Sequence, residues 1–321
     1  MRRLHPLPFV AAACGLLALA SSAFAQTLTL TQSDAGVRVD IDGKLFTEYV
    51  TKDVPRPFFY PVIGGAGENV VRNFPMRKDV AGEAQDHPHH RGLWFTHGNV
   101  NGIDFWAEVK DFGKQQSTGV SDLKAEGSKG SFTTTTKWVA PDGKAVLSDT
   151  RKFTFTALPN GEKLLDFDIT LQATEGEVTF GDTKEGTMAI RLNTGFEFKK
   201  EDNTGNAYNA QNDKRKQVWG KRSPWCAYYG PDPKGNVVGI AMFEHPKNFR
   251  APTWWHARDY GLFAANPFGI HDFEAKKDQE HLGDHKLAKG ESLQLRYRFF
   301  FGNGKPMPKA MAARYDEYVK E

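Results

Sequence analysis

Cysteine is nearly missing from this chain, with two in 321 residues, Cys14 and Cys226. The first lies in an N-terminal stretch built like an export leader: Arg2 and Arg3, an apolar run from Val10 to Ala20, and Ala23-Phe24-Ala25 as a small-residue cleavage signal. The sequence predicts a signal peptide over residues 1–25 and a periplasmic or secreted protein. Cys226 would then stand alone, so the mature chain could form no internal disulfide even in an oxidising compartment. Trp225, Ala227, Tyr228 and Tyr229 around it read as a buried strand, which predicts an inert core thiol. Long apolar runs are missing too: the leader's run is short for a membrane span and no later segment qualifies, so no transmembrane segment is expected in the mature chain. No basic block is present, and removing the leader, with two arginines and no acid, lowers the formal charge from +3 to +1. That argues against nucleic acid as a partner. The chain also lacks a glycine-rich phosphate loop, a dinucleotide fingerprint, a His-Glu-x-x-His motif and a Gly-x-Ser-x-Gly elbow, which sets aside phosphoryl transfer and dinucleotide chemistry.

What is present is period-two alternation. Leu165, Phe167, Ile169 and Leu171 fall on one face of an extended segment, with Asp166, Asp168 and Thr170 on the other, and Leu293, Leu295, Tyr297, Phe299 and Phe301 repeat the pattern. Asp42-Gly43, Pro141-Asp142-Gly143 and Pro159-Asn160-Gly161 supply turns between such runs. Only the C-terminus reads as helix, with Met311, Tyr315, Tyr318 and Val319 at helical spacing after Pro308. The prediction is an all-β fold: residues 26–321 as one domain, a large antiparallel two-sheet sandwich with a short C-terminal helix over a sheet edge or face.

Chemistry concentrates in residues 86–106, which hold four of the ten histidines, Arg91, Asp86, Asp104, Trp94 and Trp106. Pro88 and three glycines argue for a loop feeding a short strand near 93–97. Three chemistries suit the cluster. His87 and His89 share a face in an extended segment and could bind a divalent metal if a third ligand comes from elsewhere. Histidines can also move protons near neutral pH. Together His, Arg, Asp, Asn and Trp form the inventory of a sugar site, with planar donors and acceptors for hydroxyls and an indole face for C–H packing, and this reading is favoured. The plain alternative is a loop of satisfied histidines bracing a turn. Three further polar stretches interrupt the alternation: 180–191, with Glu185 presented at a strand start and Arg191 within that strand; 243–250, with His245 and Asn248; and 254–271, with Trp254, Trp255, His256 and Asn266. Trp254 and Trp255 point to opposite faces if extended, so one lines a site and the other is core. His281 and His285 read as a solvated loop.

Asp86-His87-Pro88-His89-His90-Arg91-Gly92-Leu93-Trp94, the Asp182–Thr187 block, the Glu244-His245-Pro246 core of 239–248 and Ala265-Asn266-Pro267-Phe268-Gly269 resemble the exported bacterial family labelled PmoA-like, or methane oxygenase. Methane oxidation is not carried over, since the membrane subunit of that name needs spans this chain lacks. The resemblance implies genomic company with sugar-catabolic genes and a sandwich similar to the galactose mutarotase-like supersandwich. Two functions are then weighed. The first is an exported carbohydrate-active enzyme, of lyase, hydrolase or epimerase type, acting on a glycoside or keto-sugar. In it His90 or His97 is the general acid, Glu185 or a second histidine the base, and Arg91 or Arg191 the oxyanion stabiliser. His245, Asn248, Trp255, His256 and Asn266 hold substrate, with His87 and His89 on a divalent metal in one variant. The second is a non-catalytic sugar-binding protein of the periplasm or cell surface using the same groove.

Overall fold

Alternation of the kind seen in 165–171 buries one side of every strand, and the chain answers it with two packed sheets. The computed structural model describes Met1, residues 26–276 and residues 278–321, so the predicted leader lies outside the described residues. In the first sheet the strand order is Leu28–Ser33, Gly36–Ile41, Lys44–Val50, Phe58–Val62, Leu93–His97, Gly186–Arg191, Leu262–Asn266 and Trp254–Ala257. In the second it is Asn206–Asn209, Trp225–Pro231, Val237–Glu244, Ser292–Asn303, Lys163–Gln172, Ala145–Ala157, Lys129–Val139 and Lys114–Glu126. A two-stranded ribbon pairs Val178–Phe180 with His285–Leu287. Every pairing within these sheets is antiparallel.

The predicted turns form where their chemistry allows. Asp42 and Gly43 both take positive φ, 51° and 71°, the backbone of a tight hairpin turn between paired strands. Leu165, Phe167, Ile169 and Leu171 are buried in the layer between the sheets with Leu295, Tyr297, Phe299 and Phe301, and Cys226 lies there too. The C-terminal helix, Pro308–Tyr318, sets Met311 and Tyr318 against Trp225, Phe243 and Phe300 on the outer face of the second sheet. No helix among the described residues is long and apolar enough to cross a membrane.

The first sheet also carries a second apolar face, and this positions the site. Phe95, Met188, Ile190 and Phe263 point into the central core, whereas Trp94, Ala189, Leu262 and Ala264 gather on the opposite side with Trp106 and Tyr260. The pairings Trp94 to Ala189, Ala189 to Ala264 and Ala264 to His256 make one lateral row. Trp94 and His256 therefore stand three strand spacings apart, roughly 14 Å, with two alanines between them.

Candidate functional site

The loop before Leu93 is fixed by guanidinium groups that bond its backbone. Arg72 donates to the carbonyls of Ala84 and His87, and Arg56 donates to that of His89. Gly92 ends the loop at φ 55°, with its backbone so close to the Phe59 carbonyl that a Cβ would stand 2.0 Å from that oxygen. Only glycine fits there. His87 takes φ 46°, a left-handed backbone uncommon outside glycine and a form of local strain that functional sites often hold.

Held this way, the three loop histidines cluster and do not alternate. His87 stacks on His90 with ring centroids 4.8 Å apart and planes 7° from parallel, and on Tyr260 at 5.4 Å. His89 meets His90 edge-on at 4.5 Å, and His90 lies against Trp94 and Trp106. Arg191, at the end of its strand and 0 % exposed, donates to His90 Nδ1 at 3.1 Å and covers the Tyr260 ring at 4.6 Å. Asp86 joins the groups: its Oδ1 accepts from Arg72 at 2.6 Å and from Arg191 at 3.4 Å, and its Oδ2 lies 3.0 Å from His87 Nδ1. Asp86 and His87 remain 45 % and 40 % exposed at the side chain, while His90 beneath them is 1 % exposed.

These contacts fix protonation states. Because a guanidinium only donates, His90 Nδ1 is an acceptor and the neutral ring carries its proton on Nε2. Burial, then the charges of His89 and Arg191, holds the His90 imidazolium well below its ordinary range. His90 is thus a fixed neutral N–H donor, which corrects the expectation that it serves as a charged general acid. For Asp86, burial works to raise the carboxyl, but Arg191, His87 and Arg72 together hold it below the usual range. An ionised Asp86 with its Oδ2 3.0 Å from His87 Nδ1 favours the tautomer that carries the proton there, with Nε2 as the lone-pair nitrogen. Burial and the neighbouring Arg56 lower His89 from 6.5 to about 4.

The structure divides the sequence-predicted residues. His87, His89, His90 and Arg191 meet. Glu185 immediately precedes the strand ending at Arg191, pairs with Lys184 at 3.3 Å, and is near enough to help raise the Tyr260 phenol, chiefly raised by burial. His256 is on the same outer face, at the far end of the alanine row; burial, then Arg258 and Lys184, lowers it to about 3. His97 does not join them. It continues the inward phase of Leu93 and Phe95, packs on Phe180 and Phe268, donates through Nε2–H to the Gly181 carbonyl, and is lowered to about 4 by burial. Arg91 sits beside the cluster with its fork closed on Glu108 at 2.8 and 2.6 Å, so it holds the loop and faces no oxyanion. Trp255 is the core member of its pair and bonds the Ser223 carbonyl, while Trp254 lies under Arg222. Asn266 braces a turn, donating to Thr183 O and accepting from Phe268 N. His245 and Asn248 lie in the loop after the second-sheet strand Val237–Glu244, where both engage Arg296 and His245 meets Tyr318. As for the metal variant, among the described residues no three His, Cys, Asp or Glu side chains converge to hold an ion.

Sequence reasoning missed Arg72 and the stacking role of Tyr260. The available signal was Arg72 directly after Val70-Val71, a charge continuing an apolar run. A polar cleft of about 620 Å³ beside Asn69, Asn73 and Asn193 offers less chemistry, because these amides are already occupied with one another, with backbone groups and with Glu83.

No curated protein matches the sequence. Among solved structures, a β-arabinopyranosidase is similar over 86% of this chain and 38% of its own, at 11% identity and a TM-score of 0.36. A polysaccharide lyase is similar over 88% of this chain and 33% of its own, at 11% identity and a TM-score of 0.29. The chain spans less than half the length of either, and likenesses this distant carry no reaction across. Across residues 36–316 the sequence fits one family model, and the chain belongs to that family of unknown function, DUF6807.

Proposed function

We propose that this chain is an exported carbohydrate-active enzyme performing acid–base chemistry, of lyase, epimerase or hydrolase type, at the cluster on the outer face of the first sheet. The observation that carries the reading is the Asp86–His87 pair stacked over the His90–Arg191 pair. His87 Nε2, with its tautomer set by Asp86, removes or returns a proton. The neutral Nε2–H of His90 binds an oxygen as negative charge develops on it, while the guanidinium of Arg191, on the Nδ1 side of that ring, holds the imidazole in this tautomer. The half-exposed His87 ring gives a sugar one flat surface, and the burial of His90 and Arg191 keeps bulk water away from the donors.

The test is turnover by the mature chain on a panel of glycosides, 3-keto-glycosides and acidic glycosides, with His87→Gln and His90→Gln alongside. Turnover by the parent that falls at least about a hundredfold in each variant supports the reading. Turnover unaffected by both variants overturns the site. The second reading, a sugar-binding protein without chemistry, draws on the near-complete burial of His90 and Arg191; it is supported by binding of a panel member with no product.

A further inference from the structure

The surroundings of His90 contain buried N–H groups without acceptors. Trp94 Nε1, Trp106 Nε1, Arg72 Nε and Arg191 Nε have no hydrogen-bond partner, and all four side chains are 2 % exposed or less. No buried acceptor at the cluster is left over to match them. Native structures leave few such groups unexplained, and one explanation is a ligand that brings the acceptors. Charge points the same way. Around the histidine loop four guanidiniums, Arg56, Arg72, Arg91 and Arg191, share two carboxylates, Asp86 and Glu108. Three further acids act on these arginines only from a distance and have closer partners: Asp104, which bears on Arg56, accepts from the Trp106 and Ala107 amides, and Glu83 and Glu197, which bear on Arg72, are bonded to Asn73 and paired with Lys199 respectively. Arg191 is the least compensated: besides an imidazole nitrogen it has only the 3.4 Å contact to Asp86, the longest in the cluster.

Resting on the reading of this face as a sugar site, we infer that its substrates are acidic sugars and that Arg191 receives the carboxylate of a uronic acid residue. A planar carboxylate matches the guanidinium edge that includes the idle Nε and can accept two N–H bonds at once. It enters by replacing Asp86 in the long contact to Arg191, while Asp86 keeps Arg72 at 2.6 Å and His87 at 3.0 Å. The sugar then lies against His87, the half-exposed ring at the outside of the cluster. A neutral sugar leaves the donors and the excess charge unanswered.

Calorimetric titration of the mature chain compares D-glucuronate, D-galacturonate and their methyl glycosides with the matching uronamides, which keep shape and lose charge. We expect at least one acid to bind about tenfold or more tighter than its amide, with an affinity that falls as salt is raised. Arg191→Lys should reduce that preference, and His281→Gln, an 86 % exposed position outside the cluster, should leave it in place. Equal binding of acid and amide by the unaltered protein overturns the inference, as does the absence of binding by any acid up to about 20 mM, or binding of sugar sulfates in preference to uronates. Turnover scored on the same compounds separates this inference from the reading beneath it. Turnover of neutral sugars with no preference for acids sinks the inference alone, whereas acid-selective binding without any product sinks the enzymatic reading alone.

Discussion

Changing Asp86 to Asn alters one atom and reverses the hydrogen bond that prepares His87. The native carboxylate accepts from Arg72 through Oδ1 and lies 3.0 Å from His87 Nδ1 through Oδ2. An asparagine keeps its carbonyl toward Arg72 and turns an NH₂ group toward the imidazole. His87 must then accept at Nδ1 and carry its proton on Nε2, the atom that should be free to act as base. The same exchange in a buried serine-protease triad lowers kcat by about 10⁴, and for a half-exposed pair a fall of about 10² to 10³ is expected. Stability should fall as well, by about 1–3 kcal/mol, because the exchange leaves the buried guanidiniums of Arg72 and Arg191 without their carboxylate. Two-dimensional ¹H–¹⁵N spectra of the histidine rings report the tautomer directly and need no substrate, and kinetics on any turned-over compound gives the rate. A His87 already protonated on Nε2 in the parent protein would falsify the mechanism. So would an Asp86→Asn protein with the tautomer switched and turnover within about threefold of the parent.

Two further expectations concern groups buried away from the cluster. His97→Ala should destabilise the fold by about 2–4 kcal/mol in denaturant titration, since it empties a site packed on Phe180 and Phe268. Turnover per folded molecule should stay at the parent level, and a specific loss of kcat at full folding would return His97 to the chemistry. Burial raises Glu244 from 4.5 to about 8. A folded-state value above the unfolded one means that its contribution is complete below about 4.5 and is lost as pH rises through about 8. The lowered histidines, His97 and His245 at about 4 and His256 at about 3, act oppositely but only below their ordinary 6.5. Between 6.5 and 8 the Glu244 slope therefore stands by itself, and Glu244→Gln should flatten the fall of Tm with pH in that window. An unchanged slope would assign it to other groups.

Much of the architecture was legible because a strand buried on one side writes its face in every second residue. That is why Leu165 to Leu171, the 293–301 strand and the Asp42-Gly43 turn are all where alternation and turn chemistry put them. The same rule, applied strictly, would have moved His97 out of the candidate set, for it is in phase with Leu93 and Phe95, and Trp255 is in phase with Ala257 in the same way. What alternation cannot convey is which strands share a sheet. His245 and Asn248 look like part of the same polar inventory as His90, yet they follow a strand, Val237–Glu244, that pairs with 292–303 in the other sheet. Nor does local sequence reveal partners supplied by distant loops. Arg72 and Tyr260 complete the cluster from either side, and Arg91, which sits in the motif itself, is taken up by Glu108.

The contacts that define the cluster are closures of very long chain loops. His90 and Arg191 are 101 residues apart and Asp86 and Arg191 are 105 apart, and the four strands from Lys114 to Gln172 lie between them in the chain and in the other sheet. The histidine loop and its arginine consequently meet only when Leu93–His97 and Gly186–Arg191 have paired. Occupancy of the site thus reads out topology as well as chemistry. A bound ligand adds stability only to the state in which that distant pairing is complete, and so acts as a clasp on the whole sheet.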